Sequence, residues 1–404
     1  MSVLVSSCAL LPSEEGAIAP ANSVLAKVEF AEIEGEVRIG VVLDLSGEWQ
    51  SVEAPMVAAV AARVKAHNGS GGVAGERLGL EVLDGQNDSD LTIDAVEALI
   101  GRGARVILMG CETETVIPAA QVANDRGVLV MTPCITADGF AAEVGDLGFS
   151  AGVPDSQQGI VLADRAIAVG AIGAITVSDV SDESTHARCR SFSERFSRSG
   201  GDTSATIEFG EGGVSLDRLA ATLGQFIPPD VVVVCAAPQE VAAAVSEVRR
   251  VRPEGLILLG TEADTEFWTE GTPFSGIEFI TTSSLHGRQS AADGDFIAQL
   301  ETPPTASVQM VAAALIDLFV DSSTALGTVD PPLIAESLPA MSTDRFLIAT
   351  LSYDADHLAL WSRLGIVHLE NGLPSLVDLY DPSNPPVPPP PTSAFVATTE
   401  APSQ

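Results

Sequence analysis

Residues able to do chemistry are present in this chain, but their spacing assembles no reaction centre. The glycine-rich run Asn68-Gly69-Ser70-Gly71-Gly72-Val73-Ala74-Gly75 has the composition of a loop that cradles phosphates. It follows a helical segment and precedes a strand, the reverse of the order that sets pyrophosphate on a helix N-terminus, so it reads as a helix stop and tight turn. Asp84, Asp88 and Asp90 resemble part of a calcium loop, yet the closing glutamate at the required spacing is missing. They read as a polar strand end. His67, His186, His286, His357 and His368 are scattered without metal-type spacing. No P-loop, HExxH or GxSxG sequence occurs, and nothing pairs a nucleophile with a base. Cys8, Cys111, Cys134, Cys189 and Cys235 include no CxxC pair, so neither a zinc knuckle nor a thioredoxin-type motif is indicated. The inventory points to binding without turnover, metal or cofactor.

A chain of 404 residues is too long for one ordinary core and fits two α/β lobes plus tails. Lys and Arg number 20 against 55 Asp and Glu, a formal charge of −35 that would repel phosphate backbones and excludes nucleic acid as a partner. No run of eighteen or more apolar residues is present.

The elements that must position any site alternate regularly. Val37–Leu43, Leu78–Leu83, Val106–Met109 and Val128–Thr132 are β-branched, nearly all-apolar runs, as strands covered on both faces require. Between them, Glu53–His67, Thr92–Ile100 and Thr115–Arg126 carry helical periodicity. The rhythm restarts with helix Ser156–Val169 and continues through strands Ala174–Ser178, Thr203–Phe209, Val231–Cys235 and Leu256–Leu259, with helices Ser184–Ser199, Leu216–Phe226 and Gln239–Val251. A β-α-β-α order predicts doubly wound parallel sheets, here two of them. Ligands bind at the C-terminal ends of such strands, and the crevice between two lobes is the natural pocket. Helix Thr305–Val320 arrives after the second sheet is complete and is expected to return to the first. Asn384–Gln404, with its proline run, reads as an extended tail.

Several short motifs in the right order give a resemblance. Val37-Arg38-Ile39-Gly40-Val41-Val42-Leu43 with Leu45-Ser46-Gly47, His67-Asn68 to Gly75, Gly110 to Pro118, Thr132-Pro133, Ala151 to Gly159 and Gly260-Thr261-Glu262 together resemble the branched-chain amino-acid-binding proteins, the type I periplasmic receptors of ABC importers. The resemblance implies three crossovers between lobes, near 149–153, 277–283 and 346–353. The expected organisation is a tether at 1–35, one lobe from 36–149 plus 284–345, a second from 150–283 plus 346–380, and a tail at 381–404. Cys8 after Val5-Ser6-Ser7 is similar to the acylated cysteine of a bacterial lipoprotein, although Met1 to Ser7 lacks a basic n-region and an apolar h-region. The alternative is an incidental thiol.

The same resemblance implies a site. Thr113 corresponds to the hydroxyl that holds a ligand carboxylate, where helix N–H groups also favour an anion; the alternative is an N-cap serving its own helix. Cys134, Ile135 and Thr136 correspond to backbone contacts, and Glu262 to the carboxylate that pairs with an ammonium. Trp49 is a candidate wall, and Ser46, Asp155 and Asp179 complete the candidate contacts. Neither 179–183 nor 236–238 supplies the aromatic cover common in amino-acid binders, and Glu112 and Glu114 flank Thr113. The expected ligand is therefore a small polar molecule: an amino acid, an amine or a hydroxylated compound. Cys111 and Cys134 are expected to be close and buried as small hydrophobes, with a bridge as the alternative in an exported protein. The implied function is an exported, monomeric solute-binding receptor at the cell surface or periplasm that hands its ligand to an ABC permease. A sensor on the same fold is the alternative, with an enzyme third.

Overall fold

The computed structural model describes residues 32–181, 183–265, 274–287 and 289–385. Cys8, the tether and most of the proline-rich tail lie outside the described residues. The first layer is built from β1 (Val37–Leu43), α1 (Gln50–Gly69), β2 (Leu78–Asp84), α2 (Ser89–Gly101), β3 (Ala104–Met109), α3 (Thr113–Asp125), β4 (Leu129–Thr132), α4 (Phe140–Val144) and β5 (Gly148–Ser150). Its five strands pair in parallel in the order β2-β1-β3-β4-β5. Every residue of β1 except Arg38 is buried, which is why the run reads as continuous apolar sequence and not as an alternation.

A second sheet follows with α5 (Asp155–Ala168), β6 (Gly173–Asp179), α6 (Glu183–Arg198), β7 (Asp202–Phe209), α7 (Leu216–Leu223), β8 (Val231–Cys235), α8 (Pro238–Val251), β9 (Leu256–Leu259) and β10 (Ile277–Thr281). Helix α5 lies tightly on α6 because Gly159 has no side chain; a Cβ there would run into the Arg188 carbonyl and the Phe192 amide. The chain then supplies α9 (Ala291–Ile297), α10 (Ser307–Leu326), α11 (Pro331–Ser337), β11 (Ser342–Thr343), β12 (Leu351–Tyr353), β13 (Ala359–Trp361), β14 (Leu364–Glu370) and β15 (Leu373–Tyr380). The completed second sheet has seven strands in the order β15-β14-β10-β9-β8-β6-β7. It is parallel from β7 to β10, whereas β14 and β15 add an antiparallel hairpin. Asn371 and Gly372 both take positive φ, 52° and 76°, as a tight two-residue turn requires.

The chain passes between the sheets three times. The first passage runs from β5 into α5. The second and third pair with each other: Ser283 bridges Leu347 antiparallel, the Ile348 amide donates to Thr282, and that of Ser284 to Phe346. The third does not rejoin the second sheet directly. It first forms the small antiparallel sheet β11-β12-β13, seated on β5 through Phe149 against Tyr353 and His357 and through the Trp361 indole N–H donating to Ala151. Three buried aromatic rings make this excursion a packed element and not a loop.

Helix α10 has the length and hydropathy of a membrane span, but 83% of its apolar window is buried inside the protein. It packs against α1, where Asp317 is fully buried and accepts from Arg63 at 2.7–2.8 Å, with His67 at 2.6 Å. Burial alone would raise the Asp317 carboxyl, but His67 and Arg63 hold it below its ordinary value. Arg63 also lies over the rings of Phe296 and Phe346, at 5.7 and 5.2 Å, so one guanidinium ties α1, α10, α9 and the third passage. Asp317→Ala is expected to cost about 3 kcal/mol, since it strands the Arg63 guanidinium and the His67 ring without their partner at a buried interface. Chemical denaturation measures this, and a loss under about 1 kcal/mol would reduce the pair to surface electrostatics.

Candidate functional site

The C-terminal ends of the two sheets converge on one cleft of about 110 Å³, lined from both sides. That is below the roughly 300–1,000 Å³ of drug-sized pockets and suits a small molecule. From the first sheet come Trp49, Glu112 and Thr113, Cys111 with Cys134, and Thr136; from the second, Arg188, Thr261, Glu262 and Asp264; Thr282 and Ser307 close one end.

Two strand ends of the first sheet are joined covalently. Cys111, after β3, and Cys134, after β4, form a disulfide with Cα atoms 5.0 Å apart, within the roughly 7 Å that a bridge allows. A second disulfide, Cys189 to Cys235, ties α6 to β8 with Cα atoms 6.0 Å apart. The expectation of free buried thiols at 111 and 134 is thereby corrected. Neighbouring parallel strands end level with each other, and a cysteine at each end brings the two sulfurs into reach.

Thr113 is the first residue of α3, and the cap is Glu112, whose carboxylate accepts from the Glu114 amide at 3.4 Å. Thr113 thus faces the cleft beside a helix N-terminus, where unpaired N–H groups and the helix dipole favour an anion. Beneath it, Glu53 in the first turn of α1 accepts from the backbone amides of Asp44 and Cys111, both at 2.6 Å. Gly110 leaves room for this carboxylate, which a Cβ there would displace. Burial, with Asp44 and Glu112 adding repulsion, raises the Glu53 carboxyl to about 8 despite those two amides.

The other wall is organised by Arg188, which sequence reasoning did not single out. Its side chain is 4% exposed and meets two carboxylates. Asp155, the first residue of α5, receives Nε at 3.1 Å and Nη2 at 2.9 Å on Oδ1, while its Oδ2 accepts from Thr136 at 2.9 Å. Nη1 donates to Glu262 Oε2, and Oε1 of Glu262 accepts from the Gly260 amide at 3.1 Å. Burial pushes the Glu262 carboxyl upward, and Arg188 offsets part of that. A signal was available: Thr185, Arg188, Cys189, Phe192 and Phe196 form the buried stripe of α6, and an arginine inside an apolar stripe needs buried partners.

At the far end, Asp264 pairs with His286 at 2.7 Å and accepts from Ser307, whose oxygen lies 2.7 Å from Ser283. Burial opposes the His286 charge, but the bond and charge of Asp264 prevail and raise its pKa. This cluster links the loop after β9 to the N-terminus of α10 beside the paired passages.

Of the sequence-selected residues, Thr113, Glu262, Cys134, Thr136 and Trp49 line the cleft. Asp155 stands one layer back, behind Arg188. Ser46, Ile135 and Asp179 are placed elsewhere. Ser46 donates its hydroxyl to Asp84 at 2.7 Å, the Ile135 backbone carbonyl accepts from the Ser150 hydroxyl at 2.6 Å, and Asp179 accepts from the Ser181 amide and, through its carbonyl, from Thr185. Ser46 and Asp179 are polar residues used to fold their own loops, a role that residue type does not distinguish from ligand binding. Asp84 likewise accepts from Leu45 and Gln86, and Asp88 caps α2 through the Leu91 amide.

Comparison with known proteins agrees with this geometry. The chain is 26% identical over 148 residues to Leu/Ile/Val-binding protein homolog 3 of Brucella melitensis biotype 1, covering 35% of this chain and 40% of that relative's length. Its fold is similar to that of the branched-chain amino acid transporter substrate binding protein LivJ from Streptococcus pneumoniae, solved with isoleucine, at TM-score 0.74 and 18% identity over 85% of this chain and 99% of that one. A solute binding protein from R. palustris, solved with benzoate, matches at TM-score 0.72 and 16% identity over 86% and 97%. The sequence profile of one family, described as periplasmic binding protein, matches residues 36–372, nearly the whole span of both sheets, and the chain belongs to that family.

Proposed function

We propose that the chain is an exported solute-binding receptor that captures one small polar molecule by hinge closure and delivers it to an ABC permease. The observation that supports this most is the cleft itself, lined by polar groups from both sheets at their C-terminal ends. Ligand contacts from both sides favour a closed state over an open one. In this reading the lobes are 36–149 plus 284–345 and 150–283 plus 346–380, turning about the paired segments 282–284 and 346–348. Two disulfides fit an oxidising compartment, and a lipid anchor at Cys8 would hold the receptor at the membrane. The structural neighbours were solved with ligands as different as isoleucine and benzoate, so the side chains of the cleft, and not the fold, decide what is taken.

Thr113 is assigned to the ligand's anionic end. Thr113→Val is expected to weaken binding by up to about tenfold, the worth of one neutral hydrogen bond, because the helix N–H groups remain. The test is native mass spectrometry of the purified protein for a retained small molecule, then calorimetric titration of parent and variant with it and scattering with and without it. A ligand that binds without compacting the protein would overturn hinge closure.

A further inference from the structure

The cleft carries a substrate preference that its fold does not dictate. Relying on the receptor reading above, we infer that its ligand is a small carboxylate with a hydroxyl, or no polar group, where an amino acid carries its ammonium. The position facing that group is Glu262, and its charge is already engaged from within the protein. Arg188 donates to Oε2 and the Gly260 amide to Oε1, while Asp155 takes two more bonds from the same guanidinium and one from Thr136. Every carboxylate oxygen on this wall therefore has a donor, and the cation that a ligand ammonium would supply is present as Arg188. An ammonium entering here would lie beside a guanidinium that is 4% exposed, and like charges repel strongly where water is excluded. Burial also drives Glu262 toward its neutral form, which lessens its pull on a cation further.

The other two acids that line the cleft among the described residues are engaged as well. Asp264 holds His286 and Ser307, and Glu112 caps α3. What this side offers in addition is neutral: the hydroxyls of Thr261 and Thr265 line it, and the Thr265 oxygen is buried without a hydrogen-bond partner among the described residues. A hydroxyl on the ligand satisfies such a group, whereas an ammonium would enter beside the Arg188 guanidinium, which already holds both carboxylates of this wall. The carboxylate end falls to Thr113 and the α3 N-terminus.

The experiment is calorimetric titration of the full chain, stripped of retained ligand, with three matched pairs: lactate and alanine, 2-hydroxy-3-methylbutanoate and valine, 3-phenyllactate and phenylalanine. In any pair that binds, the hydroxy acid is expected to bind at least about tenfold tighter. Arg188→Met, checked for folding by circular dichroism, is expected to shift the preference toward the amino acid by about tenfold or more, because Glu262 is then released; if the variant does not fold, the parent pairs decide alone. An amino acid that binds the parent as tightly as its hydroxy partner overturns the inference and leaves the receptor reading standing. So does silence from all six compounds while another small molecule is retained in native mass spectrometry. Silence with nothing retained removes both readings.

Discussion

Reducing the two disulfides is expected to lower the stability of the described body by about 7 kcal/mol, more than any single substitution proposed for it. A crosslink restricts the unfolded chain, and the restriction grows with the loop it closes. Cys111 and Cys134 are 23 residues apart and Cys189 and Cys235 are 46 apart. On the chain-entropy relation these loops contribute about 3.5 and about 4 kcal/mol. The first bridge joins two parallel strand ends that otherwise meet through the Thr132 hydroxyl on the Gly110 carbonyl, at 2.8 Å; the second joins α6 to β8 through a buried core. Guanidinium denaturation of oxidised and of reduced, alkylated protein measures the difference. The denaturant slope should steepen on reduction, since an uncrosslinked unfolded state exposes more surface. An unchanged midpoint would mean that the packed sheets alone hold the fold. The pairwise variants should both reach the cleft. C111A/C134A loosens the loops that carry Thr113 and Thr136, and C189A/C235A loosens the helix that carries Arg188, so each should weaken ligand binding as well as stability.

The alternation of strands and helices was legible because a covered parallel sheet leaves a strong trace: β1, β3 and β8 are short runs of branched residues that few other environments tolerate. Strands of three residues, such as β5, β12 and β13, carry too few positions for any period to show. The closing hairpin differs. Its Asn371-Gly372 turn between two branched runs is a strong local signal, yet it stands outside the β-α rhythm and is invisible to a reading that follows that rhythm. Within the cleft, the resemblance to a known family carried Thr113, Cys134, Thr136 and Glu262 to positions that line it together. Charge pairing was not legible. Nothing local to Glu262 announces Arg188, 74 residues earlier, because the contact depends on α6 lying against α5 at Gly159. A site's backbone geometry is inherited from the fold, while its electrostatics are set by long-range side-chain choices.

Glu53 makes such a choice measurable through pH. Its carboxyl is buried beneath the cleft and raised from 4.5 to about 8, so the folded protein keeps a proton that the unfolded chain has already lost at neutral pH. The sign follows from linkage: the state that binds more protons gains on acidification. Stability from this group is full below about pH 4.5, falls as pH rises, and levels off above about 8. A difference of that size is worth on the order of 4–5 kcal/mol across the window. The groups that face it are Asp44 and Glu112, which add repulsion, and the amides of Asp44 and Cys111, which favour the anion; burial outweighs both amides. Other residues titrate over the same range, so the informative quantity is the difference between the parent and Glu53→Gln. The glutamine cannot ionise, and it accepts from only one of the two amides, a cost that does not vary with pH. The variant should be the less stable protein at pH 5 and should gain several kcal/mol on the parent by pH 9, with the curves converging or crossing between. Urea denaturation at half-unit pH steps gives both curves, and parallel ones would place the Glu53 proton elsewhere. The consequence for binding has the same sign. Above about pH 8 a new anion forms directly under the Cys111 amide and beside Thr113, so affinity for an anionic ligand should fall there in the parent and stay level in the variant.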